Sequence, residues 1–166
     1  MNLISRLILK QKKTLKKLAG VSPQELLALC SLTKAPYDPF FIAKKIGLEI
    51  DKNKAKEYNF SLTKEFKKTC KNFIQVEERM NFQCAYQIAS FVLSKGYNDI
   101  KKPEIYAQAL LMPTKEMLAY YKKQKENRDN SATNLVQTIS KNFKVSKVIA
   151  LQRLKDLDIV NKKFNL

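Results

Sequence analysis

The stretch Arg79–Gly96, "RMNFQCAYQIASFVLSKG", decides how the rest of the chain is read. At 100° per residue it separates into two faces. Phe82, Ala85, Ile88, Ala89 and Val92 form an apolar side, while Gln83, Gln87, Ser90 and Ser94 run along another with Tyr86 beside them. This predicts a helix from Glu78 to about Ser94, ending near Gly96, where the chain can turn left-handed. Such a helix either closes a core or carries a site, and its polar strip is where the two differ.

Working outward, the preceding segment "CKNFIQVEE" and the earlier "YNFSLT" are β-rich and separated by lysine-rich "KEFKKT", which predicts two or three short strands. Before them, "KAPYDPFFIAKKIGLEIDKN" reads as a turn at Pro36 and Pro39, a short helix capped by Asp38 and stopped by Gly47, and an extended run from "LEI". "SPQELLALCSL" opens with Ser22 as N-cap, Pro23 at the first helical position and Glu25 in capping-box position. Downstream, "PEIYAQALLMPTKEMLAYYKKQKE" predicts a helix up to Met112, a break at Pro113 and a second helix from Lys115. Polar "NRDNSAT" marks a boundary. The tail "NLVQTISKNFKVSKVIALQRLKDLDIVNKK" reads as helix, tight turn, helix. The expected organisation is a basic helix over 1–21, a main domain over 22–128 and a helical unit over 129–166.

The chain has 166 residues, with 32 lysines and arginines against 15 acids and no histidine, giving a formal charge of +17. That field draws polyanions: nucleic acid, anionic lipid or an acidic protein. Only Arg6, Arg79, Arg128 and Arg153 are arginines, the residue favoured for bidentate phosphate and guanine contacts. A lysine- and asparagine-rich surface also follows from an AT-rich genome, so the charge is function or composition. Residues 1–20 hold Arg6, Lys10, Lys12, Lys13, Lys16 and Lys17 without an acid, along a helical stripe of Leu3, Ile4, Leu7, Ile8, Leu15 and Leu18. This helix either lies on an anionic surface or packs on its own domain; it reads as neither signal peptide nor anchor. No apolar run reaches membrane-spanning length. Cys30, Cys70 and Cys84 are odd in number, widely spaced and set among apolar residues. They are expected as buried thiols in a reducing cytoplasm, not as a disulfide frame or zinc cluster.

A helix that holds catalytic zinc needs histidines at i and i+4, reaching one metal from successive turns, and a glutamate at i+1 to take a proton from the bound water. Here those positions carry Tyr86, Ser90 and Gln87. A neutral amide is no general base at pH 7, and phenol and hydroxyl are poor zinc ligands beside imidazole. No Cys–His or Ser–His pair and no glycine-rich phosphate loop offers another chemistry, and Glu77 and Glu78 point apart.

Four segments, in order, resemble the ImmA/IrrE family of zinc metallopeptidases, whose members include antirepressors of phages and mobile elements. "APYDPFFIAKKIGLEI" is similar to its opening turn, helix and strand. "RMNFQCAYQIASFVLS" is similar to its active helix, "YAQALLMP" to its Phe-Ala-x-x-Leu-Leu-Met-Pro run, and "FKVSKVIALQRLKDLDIV" to its closing segment. Together they cover roughly residues 22–160. The resemblance implies an α+β, zincin-like fold with a small sheet, to which the reading of the tail adds a C-terminal helix-turn-helix-like helical unit. It also implies a zinc site that this sequence lacks. His, Glu and His are replaced by Tyr86, Gln87 and Ser90, and the third ligand falls near Ile100–Lys102, with only Asp99 and Glu104 as acids nearby.

The expectation is therefore no cofactor, no zinc-dependent proteolysis, and a regulatory protein partner such as a repressor. Tyr86, Gln87 and Ser90 either fill the old cleft or still recognise a peptide segment there. In the tail, Ser146 is expected to cap the last helix, with Leu151, Leu154, Leu157 and Ile159 inward and Lys147, Gln152, Arg153 and Lys155 exposed. That is the outline of a groove-reading unit and equally of a helical hairpin packed on a larger domain. As a nucleic-acid-binding regulator, the chain would make contacts through Lys12, Lys13, Lys16, Lys17, Lys147, Gln152, Arg153 and Lys155. Oligomeric state is not readable from the sequence.

Overall fold

A computed structural model describes residues 18–50, 76–94, 103–126, 131–161 and 163–164. Seven helices occupy them: α1 (Pro23–Leu29), α2 (Pro39–Ile46), α3 (Val76–Ser94), α4 (Pro103–Leu111), α5 (Thr114–Glu126), α6 (Ala132–Phe143) and α7 (Lys147–Asp156).

Local chemistry sets most of their ends. At α1 the Glu25 N–H donates to Ser22 Oγ at 3.3 Å and the Ser22 N–H donates to Glu25 Oε2 at 2.7 Å, closing the capping box. At α2 Asp38 Oδ1 accepts from the Phe40 N–H at 2.9 Å, and Gly47 ends the helix at φ +72°. A Cβ added at Gly47 would meet nothing within 4 Å, so the glycine is there for its backbone angle and not for space. Ser131 and Ser146 cap α6 and α7 through the N–H groups of Asn134 and Ile149. Pro113 separates α4 from α5, having no N–H to continue the helix.

α4 lies at the centre, packed on α3, α1 and α7. α3 packs on α2 as well, and α6 packs on α7. The core is one cluster to which all seven helices contribute, including Leu26, Ile42, Ile88, Leu110, Met117, Ile139 and Leu154. Polar ties fasten the α6–α7 hairpin to it. Asn81 Nδ2 donates to the Lys144 carbonyl at 3.2 Å, at the left-handed turn between α6 and α7. Arg153 Nε donates to the Met112 carbonyl at 3.2 Å, and its Nη2 donates to Thr114 Oγ1 at 3.0 Å. At the other end, the Tyr106 hydroxyl donates to the Val21 carbonyl at 3.0 Å, joining α4 to the start of α1.

The expected α+β architecture is corrected: among the described residues every element is a helix and no strand occurs. Leu48–Ile50, read as the start of an extended run, has no strand partner there. Val76–Glu78, read as the end of a strand, forms the first turn of α3. The reason is electrostatic as well as steric, since Glu77 and Glu78 sit where the helix exposes unpaired N–H groups and favours anions. The segments 58–63 and 70–75 lie outside the described residues, as do residues 1–17 of the expected basic N-terminal helix. No described helix is long and apolar enough to cross a membrane.

Candidate functional site

The site is the polar strip of α3. Phe82, Ala85, Ile88, Ala89 and Val92 are buried, as the two-face reading expects. Burial extends further round the helix, taking in Cys84 and Gln83. Gln83, Tyr86, Gln87 and Ser90 stand at i, i+3, i+4 and i+7, so they share one strip. Tyr86, Gln87 and Ser90 are half-buried, and Gln83 is 7 % exposed. The Oε1 of Gln83 is buried without a hydrogen-bond partner, and so is that of Gln108 on α4, the helix that packs on α3.

This strip does not fit a zinc ion. Its donors are a phenol, an amide and a hydroxyl, none of which matches imidazole or thiolate for zinc at neutral pH. Cys84 is not a substitute: it is buried toward the core, and desolvation first, then the charge of Asp38, pushes its thiol up to about 12. A thiol held that far from ionisation is not a ready nucleophile. Cys30 is also buried and free, with its pKa raised by desolvation. Among the described residues no group of three His, Cys, Asp or Glu is placed to hold a metal ion.

The C-terminal candidates separate. Gln152 is exposed, its Nε2 donating to Asp156 Oδ1 at 2.9 Å, and Lys147 and Lys155 are half-buried. Arg153 departs from its expected exposure. It is 6 % exposed, and desolvation lowers its pKa, partly opposed by Asp156. Its donors are taken by Met112 and Thr114, at the C-terminal end of α4 where the helix dipole favours a cation. The signal was present in the sequence: Ala150, Arg153, Leu154 and Leu157 share an i, i+3, i+4, i+7 stripe. Leu151 and Leu154 are buried, and Leu157 and Ile159 pack against the core. Lys12, Lys13, Lys16 and Lys17 lie outside the described residues.

Residues 72–155, just over half of the 166-residue chain, match the model of the IrrE N-terminal-like domain, and the chain belongs to that metallopeptidase family. The match runs through α3, α4, α5 and α6 and into α7. No curated protein and no solved structure matches the chain.

Proposed function

We propose that this chain is a catalytically silent member of the metallopeptidase family and acts as a regulatory or protein-interaction factor. The observation that carries this reading is the trio Tyr86, Gln87 and Ser90 on the strip of α3, in a sequence with no histidine to replace them. Neither zinc binding nor activation of a water has a residue to perform it there. The partner is a regulator or repressor, met in the cytoplasm, and the gene belongs to a phage or other mobile element. A main unit over 22–128 carries the silent cleft, flanked by the basic helix over 1–21 and the helical unit over 129–166. The test is metal analysis of the purified chain together with a chelator-sensitive cleavage assay on candidate regulators. No stoichiometric zinc and no cleavage are expected. Zinc at one per chain with cleavage abolished by chelator sinks the reading.

The net charge of +17 favours a second reading, a nucleic-acid-binding regulator. Burial of Arg153 leaves that reading to the lysines and Gln152. Titration against random duplex DNA at about 50 and 200 mM salt separates the two. A chain neutralising several phosphates loses orders of magnitude in affinity across that range. Weak binding with a shallow slope leaves the protein-partner reading in place.

A further inference from the structure

α5 shows far more of itself to solvent than its neighbours. Among its described side chains only Met117 is buried. The helix is held from one side: Met117 enters the core, Tyr120 stands edge-on to Phe143 with ring centroids 5.9 Å apart, and Glu116 Oε1 accepts from the Tyr37 hydroxyl at 3.0 Å. Isolated helices shorter than about 12–15 residues are marginal in water, so this 13-residue helix stands on few tertiary contacts.

The opposite face has its own order. Lys115, Leu118, Ala119 and Lys122 occupy i, i+3, i+4 and i+7 and are all exposed, with Lys123 at the border. Leu118, at 38 % exposure, is one of only four large hydrophobic side chains exposed among the described residues. Of the two acids in α5, Glu116 is turned to Tyr37, which leaves Glu126 at the far end of the helix as the one acid in register with three lysines. An aliphatic centre inside a rim of cations is the anatomy of a protein interface in miniature. A phosphate backbone uses cations but makes no use of a central aliphatic side chain. A lipid surface takes up a broader apolar face than one leucine and one alanine.

We propose that the outer face of α5 docks an acidic amphipathic segment of a protein partner. An aliphatic side chain of that segment sits on Leu118 and Ala119, and its carboxylates meet Lys115, Lys122 and Lys123. The proposal rests on the protein-interaction part of the reading above and not on the silence of the cleft.

The test uses the full chain and a fluorescein-labelled, glutamate- and leucine-rich amphipathic helical peptide, followed by anisotropy. Leu118→Glu and Lys122→Glu are expected to weaken binding at least ~10-fold, whereas Lys44→Glu, the same charge change on exposed α2 surface, costs less than ~3-fold because bulk charge alone acts weakly at moderate salt. Leu118→Ala weakens the peptide complex and leaves affinity for duplex DNA unchanged. Circular dichroism checks that each variant keeps its helices. Equal losses for Lys122→Glu and Lys44→Glu overturn the proposal, since the field of the whole chain then suffices. So does absence of peptide binding, or a preference for duplex DNA or for anionic vesicles that depends on the same lysines. Metal analysis of the same preparation reports on the cleft separately, so the two readings fail independently.

Discussion

α4 and α5 follow one another with only Met112 and Pro113 between them, yet they meet opposite environments. α4 buries Tyr106, Ala107, Gln108, Leu110 and Leu111, more than half its length. α5, although longer, buries Met117 alone among its described side chains. Composition accounts for part of the difference, since α5 carries Lys115, Lys122, Lys123 and Lys125 where α4 has no lysine. Neighbours account for the rest. α4 is packed by α1, α3 and α7, so each side of it finds a partner. Past Pro113 the chain leaves that crossing and keeps one contact side, with its lysines on the other. One helix is framework and the next is presented surface.

Truncating a side chain at the crossing should have the largest effect. Ile88→Ala, in the α3 face of the core, is expected to cost about 2–5 kcal/mol in denaturant unfolding, through lost burial and an unfilled cavity. A cost below about 1 kcal/mol would show that the seam is loosely packed and would break the contrast with α5.

Alkali probes the buried hydroxyls and the Cys84 thiol. Desolvation and the Glu116 contact hold Tyr37 up to about 12 against an ordinary 10.0, desolvation holds Cys84 up to about 12 against 9.0, and burial raises Tyr106 as well. Raised folded values mean protons bound more tightly in the folded state. Their contribution is fully present below the unfolded values and is lost as pH rises through the folded ones. Tm should therefore hold up to about pH 9 and fall steeply between pH 9 and 12, with the phenolate signals of Tyr37 and Tyr106, two of the seven tyrosines, appearing only as the fold is lost. Phenolate from Tyr37 or Tyr106 at pH 10 in a folded chain would contradict their burial.

The joint between the two helices is sharpened by Arg153→Met, which keeps the volume of the side chain and removes its donors. The Met112 carbonyl then loses its partner, at a cost of about 1–3 kcal/mol in denaturant unfolding. A neutral outcome would mean that the guanidinium's desolvation had offset both bonds. Smallest of all should be Leu118→Ala on α5, within about 0.5 kcal/mol by the same measurement, because the side chain is already half in water.

Much of this fold was legible residue by residue. The Ser22–Glu25 capping box, the Asp38 and Ser146 caps, the Gly47 stop and the Pro113 break all stand where the sequence placed them. Each depends on side chains within four residues of the backbone it serves. The apolar face of α3 was equally readable, because periodicity records burial directly. Val76–Glu78 was misread, since a β-rich run and the first turn of a helix look alike over three residues and only the continuing helix decides between them. Arg153 was misread because its charge suggested water, although its register with Ala150, Leu154 and Leu157 pointed inward.

By itself the sequence determined the capped ends of the helices, the family and the absence of any histidine that could restore a zinc site. These depend on residue type and local spacing. Only the tertiary structure decided that Arg153 is spent on the Met112 carbonyl, that Gln83 and Gln108 keep unpaired oxygens in buried positions, and that α5 turns its lysines and Leu118 outward. Those are properties of which helices cross, and a crossing joins residues tens of positions apart in a chain whose local pattern does not record their meeting.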